Sequence, residues 1–164
     1  MNRSRVRRWV RGCVGVSVLA GWAFASVTSR AADPAEPVIA RLCALVPHDE
    51  VRSTLGVEAL GELSASGTTS DVWCRYARPN NCGIRFYMHE SAESFALRRK
   101  AAAASMNMKD LAGVGDKAFL VKVETAFPSF SIWAMKGDNQ VMVSTTRVTE
   151  EKTIALIKKV LAKL

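Results

Sequence analysis

No Cys-x-x-Cys pair occurs in this chain of 164 residues, and histidine appears only at His48 and His89. Without a paired-cysteine motif there is no signature of a dithiol oxidoreductase or of a zinc ribbon. No Gly-rich loop leads into a helical pattern, so nothing resembles a phosphate cradle. No nucleophile stands beside a base in the sequence, and no compact Cys/His cluster suggests a metal centre. The chain also lacks an apolar run of the roughly 20 residues that span a bilayer as a helix. Its first acidic residue is Asp33.

What the first residues do contain is a leader pattern. Arg3, Arg5, Arg7, Arg8 and Arg11 precede an uncharged run of fifteen residues from Cys13 to Val27, and small residues follow before Pro34. A basic start, a short apolar middle and small residues at the end describe a secretory signal peptide over residues 1–31. Ser29 and Ala31 suit the positions before a cut after Ala31, while Ala23 and Ala25 offer a second cut after Ala25. Arg7-Arg8 hints at twin-arginine export, but its flanks fit the general secretory route better.

The leader also explains the charge. The formal net charge is +8, but six of the 23 basic residues fall in residues 1–31 and all 15 acidic residues come later. That leaves 17 basic against 15 acidic residues, near +2, which is no footprint for nucleic acid. Export to the periplasm or beyond favours disulfides. Cys13 departs with the leader and opens the apolar run, so it is no lipid-anchor cysteine. Cys43, Cys74 and Cys82 remain, enough for one disulfide and one free thiol.

Residues 32–37 read as a tail with two prolines, and residues 38–164 as a single domain. "VIARLCALV" has helical spacing, Pro47 interrupts, and "HDEVRSTLG" reads as a second short helix closed by Gly56. Residues 57–63 suggest a short strand and "SASGTTSD" a polar loop. "VWCRYA" and "GIRFYMH" are strands about the turn "RPNN". Residues 90–104 form an alanine-rich helix. "SMNMKD" reads as a loop leading to Gly113, Gly115 and Asp116, a tight turn needing glycine dihedrals. "KAFLVKV", "SFSIWAMK" and "QVMVSTT" are strands, the last two joined by Gly-Asp-Asn, and a capped helix ends the chain. The order predicts an α+β domain with a largely antiparallel sheet and the helices packed on one face.

A four-residue turn at 78–81 would set Cys74 opposite Arg85 and aim Cys74 and Cys82 at opposite faces of the sheet; shifting the loop length by one residue would bring them onto one face, though not necessarily opposite each other. Cys43, on the apolar side of a packed helix, can meet either.

Four pieces in order, "LCALVPHDEVRSTLG", "CRY", "LAGVGDKAF" and a Gly-Asp hairpin before a Lys-rich helix, resemble a bacterial family of exported domains of unknown function, best known among actinobacterial lipoproteins. The likeness covers nearly all of residues 38–164. It implies an α+β fold, a Cys43–Cys74 disulfide, and a binding or sensing role without an established catalytic site. Unlike those lipoproteins, this chain has no cysteine for lipid attachment at the cut, and it adds Cys82.

The expectation is therefore a non-enzymatic exported module with no cofactor and no metal, binding an unidentified protein or small ligand. Trp73 and Trp133 lie in strands; buried they are core, exposed they are ligand contacts. The competing expectation is a redox or copper-handling accessory protein using Cys82, Met106 and Met108, with soft thioether ligands. "RRK", residues 98–100, reads as the solvated side of a helix.

Overall fold

The computed structural model describes residues 34–77, 81–123 and 126–164. The expected leader lies outside the described residues, as do the first two residues of the tail and most of the "RPNN" turn. Helices α1 (Glu36–Cys43) and α2 (His48–Leu55) precede strands β1 (Leu63–Gly67), β2 (Asp71–Tyr76) and β3 (Cys82–Tyr87). Helix α3 (Ala92–Ser105) leads to β4 (Asn107–Asp110), β5 (Lys117–Val123), β6 (Ser129–Lys136) and β7 (Asn139–Thr146), and α4 (Glu150–Ala162) ends the fold. All seven strands form one antiparallel sheet in the order β1-β2-β3-β7-β6-β5-β4, so the domain is α+β.

Strand alternation divides the core in two. Val72, Cys74, Tyr76, Ile84, Phe86, Leu120, Ile132, Val141 and Val143 point to one face. There they meet Leu42 and Cys43 of α1, Val51 and Leu55 of α2, and Leu156, Ile157, Val160 and Leu161 of α4. Glu50 of α2 pairs with Lys163 at the end of α4 (Nζ–Oε2 2.5 Å), which ties the two helices together. The opposite face holds a smaller cluster: Phe119, Val121 and Met135 under Phe95 and Ala102 of α3.

The expectation of helices on one face holds for α1, α2 and α4 and is corrected for α3. The antiparallel order makes β3 and β4 run the same way with three strands between them. Their connection must cross a face of the sheet, and α4 already occupies the other face over β6 and β7. With Phe95 and Ala102 as its buried residues, α3 is a shallow cover; Ala96 and Ala103 stay exposed.

The strand expected at 57–63 does not form there: β1 begins at Leu63 and runs into the expected loop, and β4 likewise stands where a loop was expected. β1 covers "LSASG" and β4 covers "NMKD", and both are edge strands. Every β1 side chain is exposed. An edge strand of that kind buries no alternate residues and so carries no period-two hydrophobic signal. α1 begins two residues earlier than the tail boundary, with Pro37 in its first turn, where a missing N–H costs nothing.

The glycine turn takes the expected form. Gly113 and Gly115 have φ of 70° and 59°. Asp116 donates its backbone N–H to the Met135 carbonyl (2.8 Å), and its Oδ2 accepts from the Gly137 N–H (2.8 Å), locking this turn to the β6–β7 hairpin.

Candidate functional site

The face that carries α3 is only partly covered. Beyond the helix, β2, β3, β6 and β7 present Trp73, Arg85, Tyr87, Trp133 and Met142 on this side, by alternation from the residues under α3. Trp73 and Arg85 are cross-strand partners, as are Trp133 and Met142.

These side chains form a ladder of rings and guanidiniums. The Arg85 guanidinium lies 5.2 Å from the Trp73 ring centre and 4.8 Å from that of Tyr87. Arg98, reaching down from α3, lies 4.4 Å from the Tyr87 ring and 5.3 Å from Trp133. Tyr87 stacks on Trp133 at 5.6 Å, and Trp133 on Phe119 at 6.2 Å. A cation over a ring is worth about 0.5–1 kcal/mol where water reaches it. Successive contacts of this size favour one arrangement of these long side chains.

A carboxylate holds each arginine. Asp71 receives both Nε (2.8 Å) and Nη2 (2.6 Å) of Arg85, a bidentate fork that fixes the guanidinium plane. That fork holds the Asp71 carboxyl below the usual carboxylate range and raises Arg85 in turn. Glu90 accepts from Arg98 at 3.1 Å. Burial raises the Tyr87 phenol above its ordinary value, and the two guanidiniums partly offset it.

Trp73 and Trp133 thus share one face and bracket the two arginines of the ladder. Both are half-buried, between the core and contact roles. Asp71, Arg85, Tyr87 and Glu90 join the site without any sequence expectation of a contact role. Arg98 is corrected from a solvated helix position: it turns beneath α3, whereas Arg99 pairs outward with Asp110 (Nε–Oδ1 2.7 Å). The alternation Asp71-x-Trp73 and Arg85-x-Tyr87 was the available signal, but it acquires meaning only once the register sets Trp73 beside Arg85.

The cysteines occupy the other face. Cys43 and Cys74 are joined, with Cα atoms 5.5 Å apart. The β2–β3 register pairs Tyr76 with Cys82 and Cys74 with Ile84, so the loop is one residue longer than the four-residue turn considered above. Cys74 and Cys82 therefore point to the same side. Location selects the partner: α1 packs over β1 and β2, where Cys74 lies, while Cys82 sits one strand further on.

Cys82 is free and buried, and burial pushes its thiol from 9.0 up to about 12. Met106 and Met108 are not in one loop: Met106 ends α3, 56% exposed, and Met108 belongs to β4 and packs against the α3 cluster. They lie on the face away from Cys82, so the sheet separates the thiol from the thioethers. Among the described residues no three His, Cys, Asp or Glu side chains are grouped to hold a metal ion.

Two results are expected at Cys82. A thiol reagent labels it only when the protein is unfolded; labelling at equal rates in native and unfolded protein would contradict its burial. A folded pKa above the unfolded one stabilises fully below about pH 9, and that contribution is lost as pH rises toward 12. Urea unfolding at rising pH should therefore show the native chain losing stability relative to Cys82→Ala across that window, and parallel curves would refute the assignment.

Compared with protein-family models, curated proteins and solved structures, the chain finds no significant match. No helix among the described residues is long and apolar enough to cross a membrane.

Proposed function

We propose that this is an exported, non-enzymatic binding domain of the cell envelope whose contact surface is the α3 face of the sheet. One observation carries the reading: Trp73 and Trp133 lie half-buried on the incompletely covered face, bracketing two arginines whose planes are fixed by rings and carboxylates. Side chains ordered in this way before a partner arrives cost little to immobilise on binding. The basic leader and a disulfide of the kind that persists outside the cytosol support export. The likeness to exported domains of unknown function belongs to the same proposal. The redox or copper alternative is not carried forward, because its residues stand on two faces of the sheet.

Photo-cross-linking in intact cells tests the reading. Benzoylphenylalanine replaces Ser144, on the α3 face beside Trp73, or Lys158, exposed on α4. The expected result is a discrete adduct at position 144 alone, on a protein whose mature N-terminus is Ala32. Equal adducts at both positions, no adduct, or protein retained in the cytosol with its leader would defeat it.

A further inference from the structure

Two depressions adjoin on the α3 face, and they differ in chemistry. An apolar groove of about 420 Å³ runs between the C-terminal half of α3 and the sheet, lined by Ala101, Ala102, Met106, Phe119, Trp133 and Met142. A polar basin of about 600 Å³ opens beside it, lined by Ser70, Asp71, Arg85, His89, Glu90 and Arg98. Arg98 lines both, and Tyr87 of the basin stacks on Trp133 of the groove, so the aromatic floor continues across the boundary.

We infer that this surface holds a single-chain amphiphile with a zwitterionic head, the acyl chain in the groove and the head in the basin. The inference deepens the binding role proposed above and rests on it. The chain is assigned from the groove. Ala101 and Ala102 fill little of the space beneath α3, and Met106 (56% exposed) and Val123 (41% exposed) leave large apolar groups in water at its rim. A chain laid there removes both from solvent.

The head is assigned from charge. The basin offers two guanidiniums and two carboxylates already paired, Arg85 with Asp71 and Arg98 with Glu90. A lone anion would meet the carboxylates, and a lone cation the arginines. A head carrying both signs can face each with its opposite. Arg98 also keeps a donor in reserve at the boundary: its Nε is buried without an acceptor in the protein. The occupant is a monomer rather than a bilayer, because the groove is concave and the neutralised arginines give no net attraction for an anionic membrane.

Calorimetry with the exported protein and lysophosphatidylethanolamine below its micelle concentration tests this. One molecule should bind per chain, with affinity rising roughly fourfold per added methylene between 10 and 14 carbons. Ala101→Phe, at an exposed helix position, should fill the groove and weaken binding at least tenfold with an unchanged melting temperature. Arg98→Gln should weaken the zwitterionic lipid tenfold while flattening its preference over myristate. No saturable binding, binding indifferent to Ala101→Phe, equal affinity for myristate in the native protein, or sedimentation with phosphatidylethanolamine vesicles in place of monomer binding would each overturn the inference. A cross-link at position 144 without lysolipid binding removes this inference alone; loss of both removes the binding role as well.

Discussion

Replacing Cys43 and Cys74 together by alanine lowers the unfolding free energy by about 3.7 kcal/mol, and reduction of the native protein does the same. The bond joins residues 31 apart. Opening a loop of that length returns entropy to the unfolded chain, and the loop-closure relation gives the figure above. For a domain of this size the melting temperature should fall by roughly 10–15 °C. The local reason is equally direct. α1 and α2 have eight residues each, too short to be stable as helices in isolation. The disulfide fastens α1 to β2 beside Leu42 and Val46, and Tyr76 adds a hydrogen bond from its hydroxyl to the Val46 carbonyl at 3.2 Å. Both cysteines must be replaced at once. A single Cys43→Ala variant would leave the Cys74 thiol on the same face as Cys82, diagonal across β2 and β3, at a typical Cα spacing of about 7–8 Å. Denaturant unfolding of the double variant decides the matter, and a loss below about 1 kcal/mol would mean that α1 is held by packing alone.

The glycine turn gives the second large effect, through a contrast between neighbours. Gly113→Ala costs about 1 kcal/mol, and Gly115→Ala about 3 kcal/mol or more. Both positions have positive φ, so both variants carry the left-handed penalty. A Cβ at Gly113 would meet nothing within 4 Å. A Cβ at Gly115 would stand 2.4 Å from the Met135 carbonyl oxygen, which is backbone and cannot rotate aside. That carbonyl also accepts the Asp116 N–H, so relieving the clash breaks the hydrogen bond joining the turn to β6. Equal losses in the two variants, measured by the same unfolding experiment, would show that dihedral strain alone decides.

Central strands were legible because burial writes itself into composition. "KAFLVKV" and "SFSIWAMK" coincide with β5 and β6, whose faces meet helices on both sides of the sheet. The edges were not legible. "SASG" and "NMKD" pair on one side only, and their exposed residues read as loop. α3 was placed by its alanines, but its face was not. Residues 92–105 carry too few large apolar groups to declare which side of the sheet they cover. The candidate site shares that limit. Trp73 and Trp133 stood out by size, whereas Arg85, Tyr87 and Arg98 are ordinary residues until the register aligns them.

The amino-acid sequence alone determined the basic-then-apolar pattern of residues 1–31, the near-neutral charge of residues 32–164, the α+β class and the turns that need glycine. Each of these depends on neighbours in the chain, through composition, periodicity or a local dihedral. Tertiary structure decided which cysteine meets Cys43, which face α3 covers, and that two tryptophans 60 residues apart frame one ladder of rings and guanidiniums. Those outcomes turn on the length of one hairpin loop and the order of strands in the sheet, and a one-residue change in register exchanges the faces of every side chain that follows.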